Sequence, residues 1–113
     1  MCQYHTWFRD EEKGFVIECR NCRKLQLAFG MVMVRFAENE FHSFRRYIAS
    51  KREEFEGTDN RTDKTILLQT PCESLNFLFS YEELENLHLM LEQADTEMKT
   101  EKMLRLFQEQ PGN

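Results

Sequence analysis

Glycine and proline are scarce in this chain, four and two in 113 residues. Collagen-like repeats and Pro/Gly-rich disorder are excluded at once. So few glycines leave little material for a phosphate-cradling loop, and no G-x-x-x-x-G-K-[ST], G-x-G-x-x-G or G-x-S-x-G pattern occurs. Nucleotide-dependent enzymes drop out with those motifs. Long hydrophobic runs are missing too: no stretch approaches the ~18 consecutive apolar residues of a membrane helix. The opening MCQYHTWFRDEEK has no basic segment followed by an apolar one. A cytoplasmic protein without membrane attachment is therefore expected, and Asn60-Arg61-Thr62, which has the glycosylation pattern, reads as a polar loop. Positive charge is not in excess. Fifteen Lys and Arg against 20 Asp and Glu give a net charge of -5 and a pI near 5.2, which argues against nucleic-acid binding by the whole surface. No internal repeat is present.

What is present suits one domain over residues 1–113, with 41% apolar and 12% aromatic side chains. A chain this long buries roughly two-thirds of its unfolded surface, enough for one core. Charge is unevenly spread: residues 1–52 carry ten basic and six acidic side chains, and residues 53–113 carry five and fourteen. Two such halves can face one another in the fold, keep the protein soluble or mark a partner surface.

Phe15 to Cys19 alternates as a half-buried strand, and residues 1–9 are expected to pair with it across the polar turn Asp10–Lys13. Lys24 to Phe36 reads as one long strand, with Leu25, Leu27, Phe29, Met31 and Met33 on one face and a bulge at Gly30. From Glu38 the period becomes helical, with Phe41, Phe44, Ile48 and Phe55 on one face and Tyr47 beside them. After the apolar-free stretch 56–63, Thr65–Thr70 and Leu75–Phe79 form a hairpin about Pro71-Cys72-Glu73-Ser74. Ser80 with Glu83 is a capping-box pattern opening a helix from Tyr81 to about Ala94. Its stripe is Leu84, Leu87, Leu91 and Ala94, continuing to Met98, and Asp95 or Thr96 would restart a last helix ended by Pro111-Gly112. The expected class is α+β: an antiparallel sheet of about five strands packed by two or three helices. Its parts are N-terminal strands 1–36, a helix and second hairpin 38–80, and C-terminal helices 81–109.

Cys19-Arg20-Asn21-Cys22 lies between two expected strands, where a tight turn points both sulfurs into one concavity, as in a zinc knuckle. Zinc takes four ligands, and Cys2-Gln3-Tyr4-His5 offers a Cys and a His with the same gap. A hairpin about Asp10–Lys13 brings Cys2 and His5 to the open end that also carries Cys19 and Cys22. The expected set is Cys2, His5, Cys19 and Cys22 around a structural zinc ion, with Cys72 the rival for His5. The redox alternative takes Cys19 and Cys22 as a thiol–disulfide pair beside Arg20, Arg23 and Lys24, though the motif leads into a strand, not a helix.

Met1-Cys2-Gln3-Tyr4, Cys19-x-x-Cys22, Ala28-Phe29-Gly30 and the Phe41/Phe44 helix together resemble a small bacterial family known only as a domain of unknown function. The likeness covers most of the chain and implies no reaction, substrate or partner.

Other groups carry less. His42 and His88 read as surface or structural residues on separate helices. Removal of Met1 would expose Cys2 as an N-terminal nucleophile, for which the chain is short. Arg20, Arg23, Lys24 and Arg35 beside Tyr4, Trp7 and Phe8 offer a third reading, a zinc-ribbon-like module stacking single-stranded nucleic acid. The acidic remainder opposes it. An unknown protein partner or a homodimer, met through Tyr81, Leu89 and the last helix, fits better with a non-enzymatic, regulatory role.

Overall fold

A computed structural model describes residues 2–109. Met1, on which trimming of the N-terminus turns, and Pro111-Gly112, expected to stop the last helix, lie outside the described residues. Among the described residues the fold is α+β, with two helices and two antiparallel sheets. The first sheet runs in chain order, β1 (Tyr4–Asp10), β2 (Gly14–Cys19), β3 (Leu25–Phe29) and β4 (Val32–Phe36). Helix α1 (Glu38–Glu54) follows, then the hairpin β5 (Ile66–Gln69) and β6 (Asn76–Phe79), then α2 (Tyr81–Glu109).

The β1–β2 hairpin forms where the sequence places it. Its turn is closed by Asp10, whose Oδ1 accepts the N–H groups of Glu12 and Lys13 at 2.9 Å each. The expected long strand is instead a second hairpin. Gly30, at φ 56, and Met31 make a two-residue turn, so Phe29 pairs directly with Val32 and Leu27 with Val34. Paired residues share a face, so Leu25, Leu27 and Phe29 join Val32, Val34 and Phe36 on the core side. Met31 and Met33, expected on the face of Leu25, are turned out, 99% and 55% exposed.

Helix α1 buries Phe41 and Ile48, with Phe44, Tyr47 and Phe55 packed beside them. The small sheet closes on an aromatic cluster, Phe77 meeting Phe29 at 5.4 Å and Phe44 at 6.3 Å between ring centres. The capping box forms as read: Ser80 Oγ accepts the Glu83 N–H at 3.1 Å, and Glu83 accepts the Ser80 N–H at 2.9 Å. Leu84, Leu87, Leu91, Ala94 and Met98 are all buried. Tyr81, expected at a partner surface, is also buried, whereas Leu89 is exposed.

The break expected at Asp95 or Thr96 does not occur. Thr96 donates its hydroxyl to the Glu92 carbonyl one turn back at 3.0 Å, and Asp95 is buried as an ion-pair hub. It faces Lys99 at 2.9 Å, His42 at 3.6 Å and Arg45 at 3.8 Å. Helix α2 therefore runs on past the sheet, exposing Met103, Leu104, Leu106 and Phe107.

This helix interface sets an acid response. Burial holds His42 and His88 below the usual imidazole value of 6.5, outweighing Asp95 and Glu38 near His42, and Glu92 and Glu85 near His88. A depressed histidine pKa favours the neutral ring in the fold, so this stability is complete above about pH 6.5 and declines as pH falls below it. Glu38, Glu83 and Glu101 are held below their usual 4.5 and act only at lower pH. Thermal melts should therefore fall by a few degrees between pH 7 and 5, and His42→Gln/His88→Gln should flatten that slope.

Candidate metal centre

The open end of the β1–β2 hairpin brings three cysteines together. Tyr4 pairs with Cys19, and one step beyond the ladder the Gln3 carbonyl accepts the Arg20 N–H at 2.7 Å. That bond holds Cys2 across from the turn after β2. Within the turn, the Cys19 N–H donates to the Lys24 carbonyl at 2.9 Å and the Arg23 N–H to the Cys19 carbonyl at 2.8 Å. Arg23 completes the reversal at φ 61, a left-handed conformation that a side chain other than glycine, asparagine or aspartate seldom adopts. Strain of this kind clusters at functional sites.

The result is a set of three sulfurs, those of Cys2, Cys19 and Cys22, all within 4.8 Å of one another and able to hold a metal ion. Cys2 and Cys22 Sγ are 3.5 Å apart. The Cys22 N–H points at Cys19 Sγ at 3.3 Å. Cys19 is buried, and the other two are exposed. The Cys22 N–H, followed by the Cys2 thiol, pulls the Cys19 thiol down from 9.0 to about 7 against its burial. Hydrogen bonds to Cys19 and then Cys22 push Cys2 up to about 12. The two shifts run in opposite directions, so the Cys19 sulfur is the one prepared as a thiolate while Cys2 keeps its proton beside it. A cation removes the repulsion that keeps the proton on Cys2.

His5 and Cys72 stand elsewhere. His5 pairs with Glu18, one position out of step with the Tyr4–Cys19 pair. Because successive strand residues alternate, His5 goes with Glu18 to the face covered by α2. There its Nε2 lies 3.6 Å from Glu101 and its ring meets Trp7 edge-on at 4.3 Å. Cys72 is in the β5–β6 turn, where its N–H donates to Thr70 Oγ1 at 3.2 Å and its carbonyl accepts the Thr70 hydroxyl at 2.9 Å.

Glu101 had no signal in the sequence, being 81 positions from the residue it holds. It accepts Arg20 Nη2 at 3.2 Å and Arg105 Nη2 at 2.6 Å. Arg20, from inside the cysteine turn, also lies 5.5 Å over the Trp7 ring, so the turn is tied to α2 through one guanidinium. Trp7 is buried and donates to Glu18 at 3.0 Å. The cavity beside this turn, walled by Arg20, Arg23, Glu101 and Lys102, holds about 70 Å³. That is room for water and far below the ~300 Å³ of small organic-ligand pockets.

The fold and site thus define an α+β domain with a three-cysteine cluster at one end of its larger sheet. The chain belongs to a family of unknown function, DUF6686, whose model matches residues 1–108. Neither a curated protein nor a solved structure matches it. Among the described residues, no helix is long and apolar enough to cross a membrane.

Proposed function

We propose that this protein is a non-catalytic metal–thiolate protein, with Cys2, Cys19 and Cys22 binding one zinc ion that fixes the N-terminal strand to the Cys19–Cys22 turn. The observation that carries this reading is the inward convergence of three sulfurs around a turn whose own amide supports one of them. Thiolates suit zinc among the divalent ions, with copper(I) as the competitor for an all-sulfur set. Through Arg20 and Glu101 the ion also steadies α2, whose exposed Met103, Leu104, Leu106 and Phe107 are the surface we assign to a protein partner or a second copy. Zinc–thiolate binding needs reduced cysteines, so the proposed role suits a reducing compartment such as the cytoplasm.

Metal analysis with native mass measurement, on protein made without chelator or nickel resin, should find one zinc per chain. Its absence from every preparation removes the proposal. A second reading, a thiol redox protein, is favoured by the 3.5 Å approach of Cys2 to Cys22. It predicts metal-free protein with a reversible disulfide between two of the three cysteines.

A further inference from the structure

We infer that the ion bound by Cys2, Cys19 and Cys22 keeps one exchangeable coordination position, and that this position takes a thiolate sulfur from outside the folded chain. The inference rests on the metal-binding reading above and specifies what that site accepts. Three sulfurs converge, while the two side chains that sequence spacing offered as a fourth ligand are held apart by identifiable contacts. His5 is on the opposite face of β1, against Glu101 and Trp7. Cys72 is built into the β5–β6 turn with Thr70. Zinc with three protein ligands completes its tetrahedron with an external one.

The exposure pattern gives that position a direction. Cys19 is buried and forms the floor, while Cys2 and Cys22 are exposed and form the rim, so the remaining side of the cluster faces solvent. Charge gives it a chemistry. Three thiolates and a divalent cation sum to one negative charge, and the turn supplies Arg20, Arg23 and Lys24. Arg20 is engaged by Glu101 and Arg23 walls the cavity toward Glu38, whereas Lys24, exposed in the same turn, favours an anionic newcomer. A soft anion matching three existing sulfurs is a thiolate. On exchange the incoming thiol gives its proton to solvent, its sulfur joins the ion and a solvent ligand leaves; no electron moves.

The test uses the full chain loaded with cobalt(II), prepared with a phosphine reductant so that no thiol is present. The sulfur-to-cobalt charge-transfer band reports the number of thiolates, and the visible bands report geometry. Wild type, His5→Ala and Cys72→Ser should each bind one cobalt. Saturating 2-mercaptoethanol should raise the charge-transfer intensity by about one-third, the step from three sulfurs to four, and imidazole should leave it unchanged. Four-sulfur intensity without added thiol, in a dimer that Cys72→Ser makes monomeric, would give the external sulfur to a second copy. A spectrum indifferent to thiol, or cobalt lost in His5→Ala, overturns the exchangeable position while leaving the metal site standing. Failure to take up cobalt or zinc at all overturns both.

Discussion

Cys19→Ser should abolish zinc binding and with it the difference in melting temperature between zinc-loaded and chelator-treated protein. Of the three cysteines, Cys19 is the one whose loss is cleanest to read. Its sulfur is buried at 2% exposure and receives the Cys22 N–H, so the turn is organised around it. A serine hydroxyl can still accept that N–H, which leaves no buried donor unpaired, but oxygen is a far poorer zinc ligand than thiolate. The turn should therefore persist while the metal is lost. A ligand present at one hundred times its dissociation constant stabilises the folded state by about 2.7 kcal/mol. For a domain of this size that is roughly 10 °C in melting temperature. Wild type should lose this increment on chelation, and Cys19→Ser should melt near the chelated wild type with or without zinc. An equal zinc-induced rise in wild type and Cys19→Ser would sink the site.

Local chemistry was legible wherever neighbours in sequence decide the outcome. The Asp10 turn, the Ser80–Glu83 box and the α1 and α2 stripes all follow from residues within one or two turns of one another. The hairpin at Gly30-Met31 misled for a definite reason. A two-residue turn reverses the parity of the alternation, moving the core face from odd to even positions, and the run conceals this because Met31 and Met33 are as apolar as Val32, Val34 and Phe36. The register Phe29–Val32 settles it, and Met31 and Met33 change sides. Asp95 misled because a helix-starting residue type also serves as a buried acceptor once Arg45, His42 and Lys99 surround it.

At the site, the meeting of Cys2 with Cys19 and Cys22 could be read from the hairpin, since two strands of nearly equal length bring their far ends together. The side on which His5 falls could not. It depends on a one-residue register, with the irregularity between Thr6 and Phe8 further along β1. The charge asymmetry finds much of its use inside the fold: Arg20 with Glu101, Arg45 with Glu92 and Arg52 with Glu85 join α2 to the N-terminal half, while Lys102 with Glu38 adds a pair of the opposite sense. Most of these pairs are partly exposed, and each contributes ~1 kcal/mol or less. They orient α2 against the sheet and helix more than they hold it there.

The framework that delivers Cys19 to its place depends on one glycine. Gly14 opens β2, the strand between β1 and β3, pairing with Asp10 on one side and Phe29 on the other. Its φ is +136, and a Cβ added there would be driven into the backbone carbonyl of Ala28. Neither cost can be relieved by a side chain moving, because the obstacle is the neighbouring strand itself. The backbone conformation costs on the order of 1–3 kcal/mol for a residue other than glycine. Forcing the strand aside adds a typical overpacking cost of about 1–3 kcal/mol. Gly14→Ala should thus lose some 2–6 kcal/mol, a large part of the ~5–15 kcal/mol that stabilises a typical domain. Its expected behaviour is a melting temperature lowered by 10 °C or more, or recovery mainly in insoluble form. Gly30→Ala is the control, since Gly30 also has a positive φ, +56, but open space where its Cβ would go. It should lose only about 1 kcal/mol. If the two variants melt together, the close approach of β2 to Ala28 is wrong, and with it the β2–β3 register that leads into the cysteine turn. If they separate as expected, zinc should raise the melting temperature of soluble Gly14→Ala, because an ion bound as proposed would tie Cys2 to Cys19 and Cys22 at the opposite end of the same hairpin.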